Sequence, residues 1–261
     1  MLKTVSFIYL NPSLPAMTSF PELVDRCQKE LRFSRQEALG VLAVMATIAF
    51  IFTFRDWGFD QFDLLVGLRN FFMVALITLI SLVFRITCQK IYSLTEGYKA
   101  EFNTFWVGLA ISLIVAFISV GFVPIFLVGA MTHAFMVRYR LGEFRYGWSM
   151  WNNGMIAMWA VLGNLILALF AGLGWFFFPE SYFFSKALQL NLLLAFYALI
   201  PIPQLDGINL FFGSRGLYYF AIALVLLAAV LLLSKTAIGL IIAFAIGIIY
   251  TTIYTLISSE K

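Results

Sequence analysis

Apolar runs long enough to cross a lipid bilayer recur along this chain, and they constrain its fold more than any other feature. Hydrophobic residues make up 62% of the 261 positions and charged residues only 11%. Soluble domains use roughly 45–50% apolar and about 25% charged residues, and about 20 consecutive apolar residues span a bilayer as a helix. The sequence therefore predicts an all-α fold, a polytopic helical membrane protein in contact with the lipid bilayer.

The apolar runs predict seven or eight transmembrane helices. They cover residues 38–54, 64–84, 104–137, 154–177, 188–202, 217–233 and 238–257. The run at 104–137 is long for one helix, and Gly121 and Pro124 offer a break near its middle. This run therefore predicts either one long tilted helix or a tight pair of helices.

The N-terminal segment is the most polar part of the chain. Residues 1–36 predict an amphipathic segment at the membrane surface, followed by a membrane core at 37–215 and a C-terminal transmembrane hairpin at 216–261. Basic residues in the N-terminal segment and a basic, aromatic loop at 138–153 favour a cytoplasmic N-terminus, because positive charges concentrate in cytoplasmic loops. The net charge of +4 has the same explanation, so we expect no nucleic-acid partner.

Asp206 lies between two apolar runs, in the segment PIPQLDG. Pro201 and Pro203 cannot continue a helix, and unwound backbone at membrane depth is tolerated only where it is buried in protein or lines a cavity. Gly207 permits a close backbone approach beside the carboxylate. Acidic residues inside membranes usually serve a function, but the residues alone also allow a polar turn at the membrane surface.

Several motifs resemble those of the site-2 proteases (peptidase family M50), which are intramembrane zinc metalloproteases. NLLLAFYALIPIPQLDG, residues 191–207, is similar to the later signature of that family, in which the aspartate is a zinc ligand. FSRQEAL (33–39), GYKAEF (97–102) and GMIAMWAVLGN (154–164) resemble further segments of its archaeal-type members. The resemblance covers residues 33–215 and implies a site-2-protease-like core in the plasma membrane of a prokaryote.

The resemblance also implies a zinc motif, HExxH, on the helix that precedes GYKAEF. In such a motif two histidines four residues apart hold zinc, and the glutamate acts as general base for a metal-bound water. The corresponding pentad in this chain is RITCQ, residues 85–89. Arg85 and Gln89 therefore stand at the histidine positions and Ile86 at the glutamate position. Ala198 stands where the family has an asparagine eight residues before the aspartate.

The chain cannot assemble the family's metal site from its other residues. His133 is the single histidine, and it follows GYKAEF instead of preceding it. Asp206 alone is a poor zinc site, because catalytic zinc normally has three protein ligands. We therefore expect no cofactor, although zinc is the metal of the family.

Arg85 has two interpretations at this stage. Since positions 85 and 206 both hold the metal in the family, Arg85 and Asp206 can form a buried ion pair at that place, with Gln89 hydrogen-bonded nearby. Alternatively, Arg85 caps the cytoplasmic end of its helix and extends its head group to the interface. Asn164 is predicted to make an interhelical hydrogen bond.

The leading functional prediction is a membrane pseudoprotease that binds a transmembrane client helix or an active protease paralogue. One alternative is an active intramembrane zinc metalloprotease that performs regulated intramembrane proteolysis. A second alternative is a transporter or channel, which the unwound helix and the charged residues Arg69, Arg85 and Asp206 would suit.

Overall fold

A computed structural model describes residues 20–57, 62–135, 149–246 and 249. This part of the chain contains nine helices and two strands, in the order α1 Phe20–Glu30, α2 Arg35–Phe52, α3 Leu64–Thr95, β1 Tyr98–Thr104, α4 Trp106–Ile118, β2 Gly129–Phe135, α5 Met150–Phe177, α6 Tyr182–Ala198, α7 Asp206–Gly213, α8 Arg215–Leu233 and α9 Ala237–Ile246. The fold is thus mostly helical. Most of the basic loop predicted at 138–153, and the end of the last predicted helix, lie outside the described residues.

Four of these helices, α2, α3, α5 and α8, are long and apolar enough to cross a membrane. Two shorter apolar helices, α4 and α9, accompany them. Large apolar side chains are exposed along these helices, which is the expected surface for contact with lipid tails. This architecture is compatible with a membrane protein.

The all-α prediction is wrong in one place, because β1 and β2 form an antiparallel pair of strands. The sequence of β1, YKAEFNT, alternates apolar and polar residues, and its side chains are alternately buried and exposed. This two-residue period indicates a strand. The segment is short and lies between long apolar runs, and the all-α prediction did not include it. Phe102 and Met131 are partners in the register of the two strands.

The segment 104–137 forms neither of the two predicted helical arrangements. Helix α4 covers only Trp106–Ile118, and the chain then turns through Gly121, whose φ is +73°. After Pro124 the chain has no regular secondary structure until β2 begins at Gly129. The predicted position of the break is therefore right, but the described part of the run after the break contains a strand and no helix. A continuous apolar run does not by itself distinguish a buried helix from a buried strand.

Helix α5 lies at the centre of the bundle and contacts α3, α6, α7 and α8. Two glycines of α5 allow close helix packing. A Cβ at Gly163 would lie 3.3 Å from the Arg85 Cα of α3, and one at Gly154 would lie 2.9 Å from the Gly213 Cα of α7. Because α3 and α7 both pack closely on α5, α5 determines where these two helices lie relative to each other.

The N-terminal helix α1 is amphipathic and packs against α3. The Arg26 guanidinium donates to the Leu94 carbonyl oxygen at 2.8 Å, near the end of α3. Helix α2 then begins at a capping box, in which the Ser34 hydroxyl accepts from the Glu37 backbone N–H and the Glu37 carboxylate accepts from the Ser34 backbone N–H. The chain therefore turns from α1 into the bundle at Ser34.

Candidate functional site

Arg85 and Gln89 lie on one face of α3, because residues four apart in a helix are neighbours. The Arg85 guanidinium forms an ion pair with the carboxylate of Asp206, the first residue of α7. The Gln89 amide donates to the same carboxylate, with 3.2 Å between Gln89 Nε2 and Asp206 Oδ1. The structure thus brings together the three side chains Arg85, Gln89 and Asp206 that the sequence analysis expected to meet.

The ion pair is enclosed by protein. The side chains of Arg85 and Asp206 are each 2% exposed. Arg85 Nη2 also lies 3.5 Å from the Gly129 carbonyl oxygen, and the Met131 backbone amide interacts with the Asp206 carboxylate, so β2 closes one side of the pair. Since α3 continues from Arg85 to Thr95 and Arg85 is buried, the alternative in which Arg85 caps the end of its helix is wrong.

The proline-containing segment positions Asp206 at the start of α7. Helix α6 ends at Ala198, and the chain leaves helical geometry before Pro201 and Pro203, as their missing N–H groups require. Gly207 then packs on the end of α6, where a Cβ would lie 2.4 Å from the Leu199 carbonyl carbon and oxygen. Both prolines are exposed, so they shape the backbone and do not line the ion pair.

The other predicted site positions are structural. Ile86 is fully buried in the hydrophobic core, and Ala198 is the buried last residue of α6. Asn164 is also fully buried on α5, beside the Gly163 that packs on Arg85. Neither polar atom of its amide has a hydrogen-bond partner within the described ranges, so the predicted interhelical hydrogen bond is not present there.

The residues at this site do not fit a zinc ion. Arginine carries a permanent positive charge, so a divalent cation beside Asp206 would meet a like charge in a buried place. Gln89 offers an amide where zinc prefers imidazole or thiolate. Among the described residues there is no group of three histidine, cysteine or acidic side chains that could hold a metal.

A second buried ion pair, which the sequence analysis missed, lies five residues further along α3. Lys90 Nζ lies 2.8 Å from the Glu37 carboxylate of α2, and both side chains are less than 5% exposed. The same carboxylate accepts from the Phe102 backbone N–H at 2.7 Å, and Lys90 also donates to the Arg32 carbonyl oxygen at 2.8 Å. The only available signal was that acids and lysines are rare in apolar helices, which suggests that each has a partner.

The two ion pairs hold the strand pair from its two sides. Glu37 bonds to Phe102 in β1, while Asp206 interacts with Met131, the register partner of Phe102 in β2. Both cations, Lys90 and Arg85, come from α3. At Phe102 and Met131, the backbone N–H groups on the outer edges of the two strands are therefore occupied by carboxylates of the chain itself.

A groove of 860 Å³ opens next to the ion pair. It is lined by the two strands, by the first turns of α2, α4, α5 and α7, and by Gln204 and Leu205, which precede Asp206. Asp206 is buried and is not among the residues that line the groove, but its chain neighbour Leu205 and its contact Met131 are. The groove is thus adjacent to the Arg85–Asp206 pair.

No protein-family model, curated protein or solved structure matches this chain. The similarity to the site-2 proteases therefore depends on the motifs quoted above.

Proposed function

We propose that this chain is a membrane-embedded pseudoprotease, a non-catalytic relative of the site-2 proteases that binds a transmembrane client or partner helix. The single observation that supports the proposal most is the buried contact of Arg85 and Gln89 with Asp206. These residues stand at the three positions that hold zinc in the family which the motifs resemble. A guanidinium takes the place that the metal would have beside the aspartate.

The same residues argue against hydrolysis at this site. Peptide hydrolysis by such a metalloprotease needs a general base beside a metal-bound water. The position of that base is Ile86, a buried hydrocarbon side chain without acid–base chemistry. Asp206 is engaged by Arg85 and Gln89.

Loss of the metal does not remove the ability to bind a helix. Helices associate in lipid through close packing, small residues and polar contacts, none of which needs a metal. The close packing of α5 against α3 and α7 through Gly163 and Gly154 supports a rigid core on which a client helix can dock. The proposed role is therefore binding, of a client helix or of an active protease paralogue.

The proposal also includes the number of membrane spans, the bounds of the core and the orientation of the N-terminus, which the four long helices alone do not establish. We infer seven or eight spans, with a site-2-protease-like core at 37–215 and the N-terminus in the cytoplasm of a prokaryotic cell. Helices α6 and α9, added to the four long ones, support a count above four. The basic residues of α1 support the cytoplasmic orientation.

Metal analysis tests the pseudoprotease proposal directly. We expect the purified protein to contain no stoichiometric zinc and to show no chelator-sensitive cleavage of a transmembrane substrate. The triple variant Arg85→His, Ile86→Glu, Gln89→His should gain zinc binding, because it supplies two imidazoles beside Asp206. The matched control adds Asp206→Ala to this triple variant and should lose the zinc again.

The alternatives give different results in the same preparation. Stoichiometric zinc in the unmodified protein would overturn the proposal in favour of an active metalloprotease. Flux of a solute through reconstituted liposomes would favour a transporter or channel. Crosslinking of a transmembrane helix to a photoreactive residue at the exposed Ile202, beside the site, would support client binding.

A further inference from the structure

The groove beside the ion pair has an unusual chemical lining. None of the fifteen described residues that line it is acidic or basic except His133. Burial lowers the pKa of His133 to about 4, so its imidazole is neutral at physiological pH. The volume of 860 Å³ lies within the roughly 300–1,000 Å³ that is typical of small-ligand sites. The described lining therefore offers a ligand hydrogen-bonding groups and no ionic partner.

Side-chain amides are concentrated in this groove. The chain has eight asparagines and six glutamines, and five of these 14 residues line it: Gln36, Asn103, Asn153, Gln204 and Asn209. Two threonines, Thr104 and Thr132, add hydroxyl groups. A side-chain amide has both N–H donors and a carbonyl acceptor, so it pairs best with a neutral group that also donates and accepts.

Most of these amides are available to a ligand. The side chains of Gln36, Asn153, Gln204 and Asn209 make no hydrogen bond to the described part of the chain. The Asn153 side-chain oxygen is buried at the groove wall and has no partner there.

The strands in the groove wall do not favour an added peptide strand. A peptide that extends a sheet pairs with backbone groups at the strand edge. At Gly129 and Met131 those groups already face Arg85 and Asp206, and at Phe102 the amide is bonded to Glu37. Recognition in the groove is therefore left mainly to side chains, which suits a compact polyhydroxyl group better than an extended backbone.

The rim of the groove joins an apolar, lipid-type surface. Trp106 at the start of α4 is 62% exposed and Leu39 of α2 is 65% exposed, and both line the groove. Further along the same helices, Leu42 and Val107 are also exposed. An indole ring at such a rim offers a flat apolar face for the C–H groups of a sugar ring, and the helices beyond it offer a surface for acyl chains.

We propose that this groove binds the uncharged sugar headgroup of a glycolipid. The side-chain amides and threonines hydrogen-bond the hydroxyl groups, Trp106 packs against the sugar ring, and the acyl chains lie along the exposed faces of α2 and α4. The proposal does not depend on the function proposed above, since Arg85, Gln89 and Asp206 are not among the residues that line the groove.

Native mass spectrometry of the full chain from nanodiscs tests this site. The nanodiscs contain monoglucosyl diacylglycerol and phosphatidylglycerol with the same acyl chains. We expect preferential retention of the glucolipid, and about a tenfold loss of that retention in the double variant Gln36→Leu, Asn153→Leu. Leucine keeps the helix propensity of both positions. The matched control is Gln28→Leu on α1, an exposed amide outside the groove, which should retain the glucolipid.

Several results would overturn the proposal. One is equal retention of the two lipids by the unmodified protein. Another is a double variant that retains the glucolipid as well as the unmodified protein does, at an unchanged melting temperature. A third is a loss of glucolipid retention in Gln28→Leu that equals the loss in the double variant. Binding of free methyl glucoside as tight as that of the glucolipid would exclude a lipid-borne ligand. Displacement of the glucolipid by an uncharged hexapeptide, with tighter binding of that peptide, would assign the groove to polypeptide.

Discussion

Arg85 and Asp206 are 121 positions apart in the chain and meet in a place from which solvent is excluded. An isolated charge in such a place is costly, and an arginine cannot lose its proton to avoid the cost. Each residue therefore requires the other. Gln89 completes the arrangement by donating to the second carboxylate oxygen.

Removal of one partner of this pair should destabilise the protein more than removal of both. We expect Asp206→Ala to lower the free energy of unfolding by about 3–5 kcal/mol, because the buried Arg85 is left without a counter-charge. The double variant Arg85→Met, Asp206→Leu should recover much of this loss. Thermal unfolding in detergent measures the stability of the single and the double variant. An Asp206→Ala variant as stable as the unmodified protein would contradict a stabilising role of the Arg85–Asp206 pair.

At the scale of elements, α3 connects the two buried carboxylates that hold the strand pair. Lys90 pairs with Glu37 and Arg85 with Asp206, and the two carboxylates interact with register partners in β1 and β2. A two-stranded sheet is only marginally stable in isolation. We infer that these contacts, together with burial of its apolar side chains, keep this sheet in place.

The Glu37 contact gives a prediction with a control on the same sheet. Glu37→Gln should lower the free energy of unfolding by about 3–5 kcal/mol, because Lys90 then lies buried without a counter-charge. Glu101→Gln, which breaks the exposed Lys99–Glu101 pair of β1, should change it by no more than about 1 kcal/mol. Hydrogen exchange of the amides of β1 should be faster in Glu37→Gln only. Equal effects of the two substitutions would contradict the proposed role of Glu37.

The packing of α7 on α6 depends on Gly207. A Cβ there would lie 2.4 Å from the Leu199 carbonyl group, so Gly207→Ala must displace α7 and with it Asp206. We expect a loss of about 1–3 kcal/mol in the free energy of unfolding. Gly216→Ala on α8 is the matched control, since its Cβ would meet only the Ser214 hydroxyl at 3.9 Å and should be neutral or slightly stabilising. A melting temperature unaffected by Gly207→Ala would show that α7 tolerates the displacement.

At the scale of the whole molecule, α3 is the longest apolar helix. Its 32 residues correspond to about 48 Å, which exceeds the roughly 30 Å of a hydrocarbon core. A helix of this length can cross the hydrocarbon core of a membrane, and its last turns can then extend beyond that core into the polar region. The Lys90–Glu37 pair lies in this last part of the helix.

Labelling from the two sides of a membrane tests this placement. In a variant in which Cys27 and Cys88 are replaced, single cysteines at Phe62 and Lys99 should react with a membrane-impermeant maleimide from opposite sides. Both positions are exposed and lie just before and just after α3. Reaction of both cysteines from the same side would exclude α3 as a transmembrane helix.

The sequence alone determined the class of the molecule and the place where its backbone must break. Long apolar runs leave few structures other than helices in lipid, and Pro201 and Pro203 cannot lie inside one. The resemblance to the site-2 protease motifs also pointed to Arg85, Gln89 and Asp206, because in that family the corresponding positions hold one metal ion. These features depend on local composition or on fixed offsets along the chain.

Only the tertiary structure decided what each buried polar group contacts. The described part of the apolar run at 104–137 forms a helix followed by a strand, because the segment Gly129–Phe135 pairs with Tyr98–Thr104. The Lys90–Glu37 pair, the unbonded amide of Asn164 and the groove rich in side-chain amides have no signature in local sequence. Each depends on how helices pack across the bundle, and that packing is set by many weak contacts between residues far apart in the chain.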